Sequence, residues 1–226
     1  MKRILVFLTA LVIGFSAAAA TLDGVTNTEA TSGLKQALTD GSAAAVAKLG
    51  VENGFLGNPK VKIPLPPALQ RIESALRFAG MRKQADDLVV AMNRAAEAAV
   101  PEAKTLLVES VRKMSVQDAK GVLTGGDTAA TDYFKRTTQS QLTQRFLPIV
   151  KKATDRVGLA EQYNSLAGQG VQLGLIKKDQ STIEGYVTQK ALDGLYLMIA
   201  EQEKAFRQNP LAATSDIVKR VFGAMR

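Results

Sequence analysis

The sequence predicts an all-α fold: a compact multi-helix bundle with one long C-terminal spine helix and a short extended Pro-rich arm. Three observations predict it. Apolar residues recur at spacings of three and four along most of the chain, with short Gly, Pro or Asn breaks between the runs. Period-two alternation is confined to Lys60-Val-Lys-Ile-Pro-Leu65, and the prolines at 64, 66 and 67 exclude that stretch from the middle of a sheet. The segment opened by Ser181 and Glu184, which have capping-box spacing, and stopped by Asn209-Pro210 gives one helix of about 27 residues, near 40 Å long.

Residues 1–20 stand apart from the fold. Lys2-Arg3, an apolar run from Ile4 to Phe15 and the small residues Ser16 to Ala20 read as a secretory signal peptide cleaved after Ala20. Its removal leaves residues 21–226 as a single helical domain with 27 Lys plus Arg against 21 Asp plus Glu, a net charge of +6. No later run approaches the length of a membrane span, so the mature chain is expected to be free in the periplasm. The charges are scattered in both signs and read as solvated helix faces. Their positive balance allows weak contact with an anionic membrane surface. Nucleic acid is not an expected partner, since export removes it and no basic run is interleaved with aromatics.

Taken in order, Thr28 to Leu49 reads as a first helix interrupted at Gly41-Ser42. Asn53-Gly54 and Gly57-Asn58-Pro59 are turn signals. The arm that follows either pairs with Gly54-Phe55-Leu56 as a short edge strand or lies across its own core through Ile63 and Leu65. Leu69, Ile72, Leu76 and Ala79 give one apolar stripe, ended by Gly80. Met81 to Val100 buries Met81, Ala85, Leu88, Met92, Ala95 and Ala99. Pro101 opens a helix to Met114 with Leu106, Leu107 and Val111 inward. Ser115 caps a short helix through Leu123, and Gly125-Gly126-Asp127 breaks and restarts the chain.

A helix from Thr128 to Phe146 follows. Pro148 reopens a segment to Val157 that Gly158 ends, and Ser165 to Asp179 reads as loose before the spine. The middle of the spine, Ala191 to Ala200, has apolar residues in nearly every direction, which predicts full burial. Asp193 would then be a buried carboxylate in need of a partner, and Gly194 a point of close backbone approach. A last short helix carries Ile217, Val218, Val221 and Phe222.

The composition excludes much chemistry. With no Cys and no His, the chain builds no disulfide, Cys nucleophile, Ser-His-Asp triad, zinc site or His-ligated haem. No cofactor and no metal are expected. Carboxylate acid/base work, Ser-Lys chemistry, Tyr, or binding alone remain. The Ser-x-x-Lys matches at Ser32 and Ser110 lack the companion motifs and read as chance.

Four constellations stand out. Asn93 and Glu97 fall one turn apart on a helix face, able to hold a sugar or a cation, or to be solvated. Asp127 sits at the expected N-cap after the glycines, where its carboxylate would occupy the backbone donors an anion would need. Asp132 and Arg136 have i,i+4 spacing. Asp193 lies near Lys190 and Tyr186, and Glu203 and Arg207 form a further i,i+4 pair.

Ile63-Pro-Leu-Pro66, Met92-Asn-Arg-Ala-Ala-Glu97, Asp118-Ala119, Gly125-Gly-Asp-Thr-Ala-Ala-Thr-Asp-Tyr-Phe134, Ala191-Leu-Asp-Gly-Leu195, Glu203, Arg207-Gln-Asn-Pro210 and Val221-Phe-Gly223 resemble, in order, the bacterial exported family catalogued as domain of unknown function 4197. Many members of that family carry a lipoprotein cysteine; this chain has none. The resemblance brings no activity with it. It implies that Asn93, Glu97, Asp127, Asp132, Asp193, Glu203 and Arg207 belong to a shared internal polar network or ligand site. The favoured functional expectation is a non-catalytic binding or interaction protein of the cell envelope, its ligand or partner undefined. The alternatives are a carboxylate-dependent hydrolase of an envelope glycan and a purely structural envelope component.

Overall fold

The computed structural model describes residues 27–172, 181–209 and Lys219. The expected leader, the short helix expected to carry Ile217, Val218, Val221 and Phe222, and the stretch 173–179 lie outside the described residues.

Helix α1, Asn27–Leu49, runs unbroken through Gly41-Ser42, contrary to the expected interruption. Its buried positions, Ala30, Leu34, Ala37, Leu38, Ala45, Val46 and Leu49, keep one helical stripe across the glycine. Gly41 is a packing site: a Cβ there would come within 3.2 Å of the Phe206 ring.

Residues 50–66 form turns and an extended arm, with Asn53 at φ 66° in the expected Asn-Gly turn. Among the described residues the arm pairs with no strand; it lies across the core through buried Phe55, Val61, Ile63 and Leu65. The stripe predicted after it is split into α2, Pro67–Arg71, and α3, Glu73–Phe78, by Ile72 at φ −108°, ψ 9°. Leu69 is buried, but Ile72 is exposed and Phe78 is 96% exposed. Spacing gave the helical phase here but not the depth of burial. Gly80, at φ +76°, ends the segment in the left-handed conformation that favours glycine.

Helix α4, Arg82–Ala99, buries Ala85, Leu88, Met92, Ala95 and Ala99, as its periodicity predicts. A 3-10 turn, Val100–Glu102, carries Pro101 into α5, Ala103–Lys113, with Leu106, Leu107 and Val111 inward. Helix α6, Val116–Thr124, starts at the expected Ser115, whose hydroxyl accepts from the Asp118 amide at 3.0 Å while Asp118 accepts from the Ser115 amide at 3.2 Å.

Helix α7, Ala129–Thr154, passes straight through Pro148 where a break was expected. A proline inside a helix costs on the order of 3 kcal/mol. Leu142, Phe146 and Val150 are nevertheless all fully buried on one stripe spanning the proline, while Pro148 and Gln144 lie on the exposed side. Water can therefore take the carbonyl that loses its donor, and core packing decides. Gly158 begins α8, Gly158–Gln172, where it was expected to end a helix; Leu159, Ala160, Tyr163 and Ala167 supply its buried face, and the helix runs on into the first part of the stretch from Ser165 expected to be loose.

Helix α9, Ile183–Gln208, is the expected spine and packs against α1, α4, α7 and α8. Its N-cap is Thr182, whose hydroxyl accepts from the Gly185 amide at 3.0 Å, in place of Ser181. Glu184 accepts from Asn164 of α8 at 3.1 Å, and Asn164 Oδ1 accepts from the Ile183 amide at 2.7 Å. The spine is not buried all round either: Asp193 and Leu197 lie on a solvent stripe. Gly194 is the close approach expected of it, since a Cβ there would fall 2.8 Å from Phe55 Cε1.

Candidate functional site

The sequence-predicted polar residues separate into two interior clamps and three exposed carboxylates. The first clamp sits on α4. Asn93 is fully buried; its Oδ1 accepts from the Ile63 amide at 2.8 Å, and its Nδ2 donates to the Ile63 carbonyl at 2.9 Å and the Val89 carbonyl at 2.8 Å. One side-chain amide thus pairs both backbone groups of Ile63, as a neighbouring strand would. One turn on, Glu97 Oε1 accepts from the Phe55 and Leu56 amides, each at 3.0 Å, and Oε2 from Arg94 Nη1 at 2.6 Å. The other arm of Arg94 reaches Glu52 at 3.0 Å and Asn53 at 3.1 Å.

Burial alone would raise the Glu97 carboxyl. The Leu56 amide, Arg94 and the Phe55 amide outweigh it, so Glu97 is held below its ordinary value and stays ionised. From α9, the buried Tyr186 donates to the Pro64 carbonyl at 3.2 Å, and Lys60 bonds Glu201 at 2.5 Å across the arm's outer side. The arm is therefore fastened at Phe55, Leu56, Lys60, Ile63 and Pro64.

The second clamp closes the α6–α7 junction from α9. Glu203 Oε1 accepts from the Ala130 amide at 2.9 Å; its Oε2 accepts from the Thr131 amide and hydroxyl, each at 3.0 Å. Arg207 Nη2 bonds Glu203 at 2.8 Å and donates to the Val122 carbonyl at 2.8 Å. A carboxylate thus meets the positive start of α7 and a guanidinium the negative end of α6, as the helix dipoles favour. The expected i,i+4 pair is real, and it spans two helix termini.

Asp127 is not the cap. The N-cap is Thr128, with no side-chain cap bond of its own, because Glu203 fills the donors; Asp127 is exposed. Asp132 is exposed and accepts from the Thr128 hydroxyl at 3.2 Å, while Arg136 pairs with Asp118 at 3.2 Å in place of Asp132. Asp193, expected to be buried, lies on the solvent stripe and accepts from Gln189 at 2.8 Å. It was misplaced because its apolar neighbours hid a single polar stripe through Asp193.

Among the described residues, clefts open to solvent lie beside α5, α6 and α7 and between the arm and α4. A pocket of about 270 Å³ between α5, α6 and α7 is lined by residues including Ser110, Lys113, Tyr133, Arg136 and Thr137. Its polar floor is internally bonded: Tyr133 donates to the Ser110 carbonyl at 2.8 Å, and the Ser110 and Thr137 hydroxyls meet at 2.7 Å. A wider groove of about 710 Å³ runs between the arm and α4, with Leu56, Pro64, Leu65, Ala85, Val89 and Val90 as its apolar walls and Lys62, Gln70, Glu73, Arg82 and Asp86 at its rim. Neither cleft is lined by Glu97, Asp193 or Glu203. Among the described residues no group of three or more Asp or Glu is placed to hold a metal ion. No helix among them is long and apolar enough to cross a membrane.

The sequence profile described as Protein of unknown function (DUF4197) matches residues 24–223. The chain belongs to this family. No curated protein and no solved structure matches it. In this family member the clamp positions Asn93, Glu97, Glu203 and Arg207 bond backbone groups of distant segments. Arg94 and Asn164, which do comparable work, were not singled out from the sequence. Arg94 had a signal in its i,i+3 spacing to Glu97, and Asn164 had none.

Proposed function

We propose that this family member is an exported, non-catalytic interaction protein of the cell envelope, and that the groove between arm and α4 is the surface it offers. The observation that carries the reading is where the interior carboxylates spend their oxygens. Glu97 and Glu203 accept from backbone amides and from an adjacent Arg. A general acid needs a carboxyl raised towards neutrality, and Glu97 is held the other way. Glu97, Asp193 and Glu203, the carboxylates the sequence offered as acid and base, line neither described cleft, which disfavours a glycan hydrolase built on them. The groove has the size of a binding site, with apolar walls and Lys62, Gln70, Glu73, Arg82 and Asp86 among its lining.

A second reading, a purely structural envelope component, draws on the same internal bonding of Asn93, Glu97, Glu203 and Arg207. A photo-cross-linker placed at Val90, compared with one at exposed Val116 on α6, separates the two in cells expressing the full-length chain. Specific adducts from Val90 are expected; equal labelling at both positions would refute the groove as the interaction surface. Export is tested on the same material. N-terminal sequencing should find Thr21 first in the periplasmic fraction, and an unprocessed cytoplasmic chain would overturn the leader.

A further inference from the structure

The apolar surface of α2, α3 and the neighbouring groove has charged company of both signs, of which the carboxylates are engaged and two cations are not. Phe78 is 96% exposed, Ile72 45% and Val90 44%. Phe78 lies at the end of α3 just before the Gly80 turn, and Glu73, on the same short helix, borders the groove whose wall includes Val90. An aromatic held almost wholly in water beside an apolar groove marks an association surface more strongly than scattered exposed aliphatics do.

The carboxylates on this face are engaged. Asp86 lies 3.8 Å from Arg82, Asp87 lies 2.7 Å from Lys83, and Glu73 has an interaction of its own. Two cations are left over: Lys62, on the groove rim, and Arg71, at the end of α2, have no carboxylate partner among the described residues. Apolar side chains project from a surface whose unneutralised charge is positive, on a mature sequence of net charge +6, from 27 Lys plus Arg against 21 Asp plus Glu.

We propose that this face docks on an anionic phospholipid surface. Phe78 and Ile72 enter the boundary between headgroups and acyl chains, and Lys62 and Arg71 meet lipid phosphates. This deepens, and rests on, the reading of the chain as an exported interaction protein. A bilayer suits the features better than a folded protein partner does. Phe78 projects from a short helix beside a concave groove, so a rigid partner would have to match both shapes, whereas a lipid interface yields around the ring. The combination of an inserted aromatic with nearby cations is that of a reversible peripheral anchor. Each cation near an anionic surface contributes about a fivefold change in affinity, and burying most of a Phe about tenfold.

The test is co-sedimentation of the mature protein with vesicles of phosphatidylethanolamine and phosphatidylglycerol, against vesicles of phosphatidylcholine alone. Binding is expected only to the anionic vesicles and should weaken with added salt. Lys62→Gln and Arg71→Gln should each weaken it about fivefold, and Phe78→Ser about tenfold. The urea midpoint of Phe78→Ser should not move, because the ring contributes almost no packing. Absence of wild-type binding, equal binding to phosphatidylcholine, or wild-type affinity in the three variants would overturn the proposal. Specific photo-adducts from Val90 in that event would leave the interaction reading standing with a protein as the partner; loss of both results would remove both readings.

Discussion

Asn93 offers the sharpest test of how the arm is held. Its side chain is fully buried and makes three hydrogen bonds, two of them to the single residue Ile63. Asn93→Ala removes all three and leaves the Ile63 amide and carbonyl facing a space that water does not readily fill. Each orphaned backbone group costs about 1 to 3 kcal/mol, so a loss of about 3 to 4 kcal/mol is expected, unless the arm detaches at lower cost. Asn93→Asp keeps the shape and changes the outcome with pH. An ionised carboxylate still accepts from the Ile63 amide but sets negative oxygen against the carbonyls of Ile63 and Val89, now 2.9 and 2.8 Å from Nδ2.

Burial and those carbonyls must raise the new carboxyl above its unfolded value of about 3.9. Its destabilisation is therefore full above the folded pKa and relieved as pH falls through it, because the neutral acid can donate again. Urea unfolding of the mature wild type and both variants at neutral pH and near pH 5 measures this as a difference, so acid effects common to all three cancel. The aspartate variant should be at least as unstable as the alanine variant at neutral pH and should gain on it at the lower pH. A cost below about 1 kcal/mol for Asn93→Ala with unchanged exchange protection at the Ile63 amide would refute the strand-like clamp.

At the second clamp, Glu203→Gln should cost about 3 kcal/mol by denaturant midpoint, since it leaves Arg207 facing a neutral amide and turns one acceptor into a donor; amide exchange at Ala130 and Thr131 should quicken more than elsewhere in α7. For the wild type, the depressed Glu97 pKa sets the sign of the acid response: its contribution is complete above the unfolded value near 4.5 and is lost as pH falls through the lower folded value. Glu97→Gln should therefore flatten the acid limb of a stability-versus-pH curve. Gly194→Ala places a methyl 2.8 Å from the Phe55 ring and should destabilise by about 1 to 3 kcal/mol despite better helix propensity. Phe55→Leu in the same chain should reduce that penalty, and simple additivity in the double-mutant cycle would count against the contact.

Helix positions were legible wherever an apolar stripe met a core. The α4 face, the inward residues of α5 and the Ser115 cap all lie where spacing puts them. The errors share a cause, which is that local punctuation yields to tertiary packing. Gly41 and Pro148 carry breaker chemistry, but Phe206 packs on the one, and a stripe from Leu142 to Val150 bridges the other. The i,i+4 spacing of Asn93 with Glu97 and of Glu203 with Arg207 gave the clamps' membership but not their partners. Those partners are backbone groups of Ile63, Phe55, Ala130 and Val122, and backbone groups look alike in every sequence. Asp193 shows the converse: its chemistry was plain, and only the direction of one helix stripe placed it in water.

The Glu203 clamp also bears on the order in which the molecule can be completed. The first turn of α7 receives its capping carboxylate from a residue 73 positions later, and the arm is locked on its outer side by Glu201, 141 positions beyond Lys60. Synthesis from the N-terminus delivers these partners late. Until α9 emerges, the α6–α7 corner lacks Glu203 and Arg207, and Gly41 lacks the Phe206 ring that packs on it. The residues before α9, about four-fifths of the chain, therefore carry the hydrophobic pattern of the bundle without the groups that close the α6–α7 corner and fasten the arm's outer side, so both closures wait on one helix.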